Sequence, residues 1–267
     1  MRPEDIETLR KDMLAIIAAG ASALRDIIGK DALDERVMTA MGKVPRHAFV
    51  PIELQPYAYE NIPLPIGFGK TISQPFIVAL MTDLLDINAD DSVLEIGTGL
   101  GYQAAILAQL ARKVYSIEII EELGQKAKQR LREQGCSNVE LKITNGYHGW
   151  SEHAPFDKVI VTAAPDLIPP PLIHQLKAGG KMVIPAGLPN AQQLILAEKL
   201  ANGRMTMQEI LTVRFSQLAR SLTVGGGFAL ASVGHHVPCR CFRSSSSIPT
   251  LSRILECMTC RAKQTHR

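Results

Sequence analysis

The sequence predicts an α/β fold: a doubly wound, mostly parallel sheet preceded by N-terminal helices. Three observations point there. Residues 92–96 (S-V-L-E-I) form a short apolar run ending in a glycine-rich turn and a small-residue helix, the pattern of a strand covered on both faces. From Ser92 onward, strand-like and helix-like segments alternate. The 267 residues are 46% hydrophobic and 21% charged, enough apolar material for one large core.

The elements follow in chain order. Residues 4–28 read as one or two helices, with Ile6, Leu9, Met13, Ile16 and Ile17 on one side. The stretch from Met13 to Leu24 is apolar, but Glu4, Asp5, Glu7 and Asp12 precede it, where a secretory signal needs positive charge. Residues 34–41 predict another helix, ended by Gly42. V-P-R-H-A-F-V-P (44–51) is turn-like, and residues 56–67 hold three prolines and no period, so they predict a structured loop. A helix covers 76–85. Then come strand 92–96, helix 102–110, strand 113–118, helix 121–134, strand 139–144, loop 145–151 and strand 157–162. A proline-rich turn and short helix span 165–176, and a glycine turn at 178–180 leads into strand 181–184. Strands 192–199 and 207–214 read as antiparallel, because only the turn at Asn202-Gly203 separates them. Periodicity stops after Leu222. The chain therefore divides into a helical segment (1–55) packed on the domain, the domain itself (56–222), and a tail (223–267) expected to be disordered.

Charge and cysteine divide along the same line. From Gly225 onward there are six Lys/Arg and one acid, which leaves 23 basic against 25 acidic residues in the body. A nucleic-acid partner is not expected from that balance. No apolar run approaches the roughly 18–20 residues of a membrane span. One cysteine, Cys136, lies in the body, which fits a reducing cytoplasm. The other four, Cys239, Cys241, Cys257 and Cys260, combine C-x-x-C with the less usual C-x-C and lack an apolar frame, so no metal site is assigned. A monomer is expected.

The turn after residues 92–96 carries Gly97, Gly99 and Gly101. Glycine adopts backbone angles closed to other residues and leaves room for a ligand, and the turn opens onto a helix N-terminus with free N–H groups. Its spacing is G-x-G-x-G after an acid (Glu95), not the G-x-G-x-x-G of dinucleotide sites. Glu118 ends the next strand, seventeen residues after Gly101, where an acid accepts hydrogen bonds from ribose hydroxyls. A nucleoside without a pyrophosphate needs only a short loop of this kind.

V-L-E-I-G-T-G-L-G (93–101) resembles the first motif of Rossmann-like S-adenosylmethionine-dependent methyltransferases. L-P-I-G-F-G-K-T-I-S-Q-P-F-I-V-A-L-M (64–81) resembles the signature of protein-L-isoaspartate O-methyltransferases. The box at 44–51, G-Y-H-G-W (146–150), A-P-F-D-K-V-I-V-T-A-A-P (154–165) and Q-L-K-A-G-G-K-M-V-I-P-A-G (175–187) follow in that family's order, so the resemblance covers about residues 30–220.

The resemblance implies transfer of a methyl group from S-adenosyl-L-methionine to the free α-carboxylate of L-isoaspartyl residues in damaged proteins and peptides. The ester then closes to a succinimide, whose hydrolysis partly restores the normal linkage. It implies Ser73 at the active site. It also implies cofactor contacts from Thr71, Ile72, Ser73, Glu95, Gly97, Thr98, Gly99, Gly101, Glu118, Ile119, Asn145 and Gly146. A carboxylate is ionised at neutral pH, so catalysis would consist mainly of positioning and desolvation. Four other readings stay open: Thr71 and Ser73 as plain helix caps, a methyltransferase of another carboxylate, an NAD-dependent oxidoreductase, and a nucleotide-binding module without turnover.

Two positions depart from the family pattern. Lys70 stands where Gln is usual, and Asn145 stands where Asp is usual. An adenine amino group needs an acceptor, and the Asn carbonyl supplies one without charge. Asn145→Asp is therefore expected to tighten S-adenosylmethionine binding in calorimetry; unchanged or weaker binding contradicts this.

Overall fold

The computed structural model describes residues 2–219; the expectations placed on the tail and its cysteines lie outside them. The chain opens with a long amphipathic helix, α1 (Pro3–Ala23), and a short α2 (Arg25–Ile28) ended by left-handed Gly29. Met13, Ile17 and Ala21 form the buried stripe of α1. Helix α3 (Glu35–Lys43) is capped by the Asp34 carboxylate, which accepts from the Arg36 amide at 2.7 Å. It runs past Gly42, where an added Cβ would stand 3.3 Å from the Leu14 side chain, and stops where Val44 becomes extended ahead of Pro45.

Part of the expected loop at 56–67 is instead regular. Strands β1 (Leu64–Gly67) and β2 (Lys70–Ile72) form an antiparallel two-stranded hairpin, with Leu64 and Ile66 inward and Pro65 outward. Pro65 sits at an outward position of a ribbon edge, where a proline is tolerated, and this hides the two-residue period. The tip, Gly67-Phe68-Gly69, is left-handed throughout (φ of 94°, 54° and 67°).

Helix α4 (Pro75–Leu85) follows and is almost wholly buried. Then come β3 (Ser92–Ile96), α5 (Tyr102–Ala108), β4 (Lys113–Glu118), α6 (Glu121–Glu133), β5 (Val139–Ile143) and β6 (Phe156–Val161). The chain continues with α7 (Pro170–His174), β7 (Leu176–Ala186), β8 (Gln192–Lys199) and β9 (Met205–Val213). The seven-stranded sheet has the order β5-β4-β3-β6-β7-β8-β9, parallel through β7 and antiparallel beyond. β7 begins five residues before the expected Lys181, because Leu176 already pairs with Phe156 and a register irregularity absorbs Gly179-Gly180.

Alternation sorts the strand residues between two apolar clusters. Val93, Val114, Ile160 and Val183 share one with α4, α5 and the N-terminal helices, while Leu94, Ile96, Val159, Val161 and Met182 pack with Trp150, Phe156 and Leu172. α4 contacts α1 and α3 on one side and β6 and β7 on the other, so it joins the N-terminal layer to the sheet. From β3 the chain steps outward to β4 and β5 and then returns across β3 to β6. That reversal parts the connections at the carboxyl ends of β3 and β6 and leaves a crevice there. Leu80 of α4 is fully buried in the cluster that α4 shares with the N-terminal helices and the sheet. Leu80→Ala is expected to cost about 2–5 kcal/mol in urea unfolding followed by circular dichroism; a loss well under that range contradicts this packing role.

Candidate functional site

The crevice holds about 850 Å³ of non-protein space, part of it open to solvent. One wall is the turn after β3. Gly97 and Gly99 have φ of 98° and 57°, a left-handed path that side chains resist. A Cβ on Gly97 would meet the Thr162 hydroxyl at 2.5 Å, and one on Gly99 would meet Ile66 at 3.1 Å. The turn is tied to both neighbouring strands. The amides of Gly97 and Thr98 donate to the Ile117 carbonyl at 2.8 and 3.2 Å, and the Thr162 hydroxyl donates to the Gly97 carbonyl at 2.6 Å.

Glu118 closes β4 with its carboxylate turned back onto the turn. Oε2 accepts from the Gly99 amide at 2.7 Å, and Oε1 accepts from the amides of Ile119 and Ile120 at 3.0 Å each. Burial raises its pKa, against the pull of those three amides and of the Lys70 charge. Ile119 lines the cleft beside it, and Gly146 forms part of the floor. A Cβ at 146 would meet Ile96 at 2.4 Å, so that floor can carry no side chain.

The opposite wall comes from the hairpin and its exit into α4: Ile66, Lys70, Thr71, Ile72 and Ser73. The cap role for Thr71 and Ser73 is not realised. Gln74 occupies the N-cap of α4 without a side-chain bond, and the Phe76 amide is taken by Asn61 Oδ1 at 3.0 Å. Among the described residues the Ser73 hydroxyl has no hydrogen-bond partner, while the Ser73 carbonyl accepts from Arg46 Nη2 at 2.7 Å. Lys70 Nζ donates to the Gln217 carbonyl at 3.4 Å. Residues 216–219 thereby border the cleft, held at Ala164 by bonds of 2.8 and 2.9 Å.

Three residues named from the resemblance lie elsewhere. Gly101 faces Leu131 of α6, whose Cγ would stand 3.2 Å from an added Cβ. Asn145 Oδ1 accepts from the Tyr147 amide at 2.9 Å, an Asx-type turn that starts the next short helix. Glu95 points into the sheet layer, fully buried. Its Oε2 accepts from the Ser116 hydroxyl, which in turn contacts the Thr98 hydroxyl at 2.5 Å, and its Oε1 has no partner among the described residues. The alternation of β3 accounts for this: Glu95 shares a face with Val93 and pairs with Ser116 on β4.

The sequence assigned no role to Arg46, Tyr102, Gln103, Ser116 or Thr162, although Tyr102, Gln103 and Thr162 line the cleft. Arg46 was visible as the one charged residue set among the apolar residues of the 44–51 box. Burial lifts the Glu95 pKa to about 8, opposed by the Ser116 hydrogen bond and reinforced by the Glu118 charge. The folded chain therefore keeps this proton to a higher pH than the unfolded chain, whose carboxyl titrates near 4.5. Between those values the native state binds more protons, so this contribution is complete below the lower value and is lost as pH rises through the higher one. Glu95→Gln is expected to remove that loss. The melting temperature of the wild type should fall relative to the variant from pH 5 to pH 8, and parallel curves contradict the assignment.

A sequence profile described as protein-L-isoaspartate(D-aspartate) O-methyltransferase matches residues 22–223. The chain is 65% identical over 218 residues to a Polaromonas sp. (strain JS666) protein named protein-L-isoaspartate O-methyltransferase 1, covering 82% of this chain and 92% of that one. It is 56% identical over 210 residues to a Syntrophobacter fumaroxidans protein named protein-L-isoaspartate O-methyltransferase 2, covering 78% and 85%. A solved protein-L-isoaspartate O-methyltransferase superposes with a TM-score of 0.68 at 27% identity, over 79% of this chain and 66% of that one. With a profile that spans most of its length and relatives at this identity, the chain belongs to the protein-L-isoaspartate(D-aspartate) O-methyltransferase family.

Proposed function

We propose that this protein transfers the methyl group of S-adenosyl-L-methionine to the free α-carboxylate of L-isoaspartyl residues in damaged proteins and peptides. The observation that carries the proposal is one cleft shared by the hairpin wall with Ser73 and the sheet wall with Gly97, Gly99 and Glu118. Its residues fit an adenosine-bearing cofactor. Glu118 retains acceptor capacity beyond its three amide donors for ribose hydroxyls. Ile117, Ile119 and Leu123 offer an apolar bed for a purine, and Gly146 leaves the floor bare. Thr71, Ile72 and Thr98 complete the proposed contacts. When bound, the cofactor supplies a methyl group made electrophilic by its sulfonium.

The chain's own part is positioning. The substrate carboxylate is already ionised, so no general base is called for. The Ser73 hydroxyl donates a hydrogen bond to it and fixes its direction of approach. Lys70 is the one Lys or Arg among the described residues lining the cleft, and it attracts a carboxylate to this wall. Ile66, Ile72, Tyr102 and Leu218 exclude water around it. The enzyme so envisaged works as a monomer on protein substrates, and the single cysteine in residues 1–222 supports a cytoplasmic setting.

The test is labelled methyl transfer to a peptide containing L-isoaspartate and to its normal aspartyl twin. Label should enter only the first and be released at alkaline pH as from a methyl ester. Equal labelling of the two, or none, overturns the proposal. Ser73→Ala is expected to slow the reaction about 10–100-fold in initial-rate measurements.

A further inference from the structure

Arg46 is fully buried although it carries a charge. Its Nε donates to the Ala58 carbonyl at 2.8 Å and its Nη2 to the Ser73 carbonyl at 2.7 Å. The guanidinium lies over the Tyr102 ring, 4.8 Å from the centroid, and Nη1 has no hydrogen-bond partner among the described residues. Burial lowers the pKa only to about 10, so the group is a cation at neutral pH. Among the described residues no carboxylate forms an ion pair with it.

A cation sealed in protein without a counter-ion is costly, and an apolar side chain would fill the same volume more cheaply. What the guanidinium gives in return is visible in its partners. Ser73 ends the hairpin wall of the cleft, and Tyr102 begins α5 directly after the glycine turn, on the other wall. One rigid, planar group therefore touches both walls, in a fork that a flexible ammonium cannot copy.

We propose that Arg46 is a positioning residue that holds Ser73 at a set place relative to the Gly97–Gly101 turn. This rests on the methyl-transfer reading for its kinetic consequence, but not for its geometric one. The group acts through Ser73 and takes no part in the reacting atoms.

The test compares Arg46→Lys, which keeps the charge and loses the fork, with Ser73→Ala and the double variant. Arg46→Lys should lower kcat about tenfold, and the double variant should stay within about twofold of Ser73→Ala alone, since the two act as one unit. Additive losses overturn the proposal. A second readout is independent of turnover. Hydrogen exchange should quicken in peptides covering residues 71–76 of Arg46→Lys and stay unchanged in β5; unchanged exchange at 71–76, or faster exchange everywhere, overturns it. If Arg46→Lys does not fold, Arg46→Gln is measured in the same way, and failure of both shows a global structural role and also overturns it. A wild type that methylates no isoaspartyl peptide defeats the functional proposal, and exchange alone then decides the role of Arg46.

Discussion

Gly97, Gly99 and Gly101 leave β3 with φ of 98°, 57° and 97°, and the cleft depends on that path. Along it, two successive amides reach the same carbonyl, Ile117 on β4, while Thr162 at the end of β6 grips the Gly97 carbonyl. The turn is thus bonded to both strands that flank β3 in the sheet. The Gly99 amide then holds the Glu118 carboxylate in place. A side chain at 97 would push Thr162 aside, and the connections to both neighbours would shift together. Strand order decides where the crevice forms, and left-handed backbone decides that its wall is main chain rather than side chain.

From Thr98, which lines the cleft, a polar chain leads away from it through Ser116 to the buried Glu95. Two acids sit close together at the ends of β3 and β4 with different surroundings. Glu118 has three amide donors, whereas Glu95 has one hydroxyl and full burial. The environment, not the residue type, separates a cleft-facing carboxylate from a buried acid that is mostly neutral at pH 7.

Much of this was legible in the sequence. The strand–turn–helix at 92–108, the alternation beyond it and the antiparallel ending follow from period and punctuation alone. Linked motifs on both sides of the glycine turn pointed to the family. What stayed hidden has physical reasons. The β1–β2 hairpin escaped because outward Pro65 masks a two-residue rhythm only four residues long. The resemblance implies a cofactor contact for Glu95, the acid just before the glycines. Strand alternation puts it on the Val93 face, and its burial becomes visible only once Ser116 is opposite it. The importance of Arg46 depends on Ala58, Ser73 and Tyr102, which are 12, 27 and 56 positions away in sequence and meet only in the fold.

The hairpin wall stands outside the seven-stranded sheet and, among the described residues, shares its ladder with no strand but its own partner. A ribbon of two short strands is marginal by itself, so its order derives from lateral supports: Ile66 against Gly99, Asn61 at the head of α4, and Arg46 beneath Ser73. The two sides of the cleft therefore differ in local stability. By that reasoning the hairpin side is expected to open at a lower free energy than the sheet side. A bulky polypeptide entering such a cleft meets one wall that yields and one that does not.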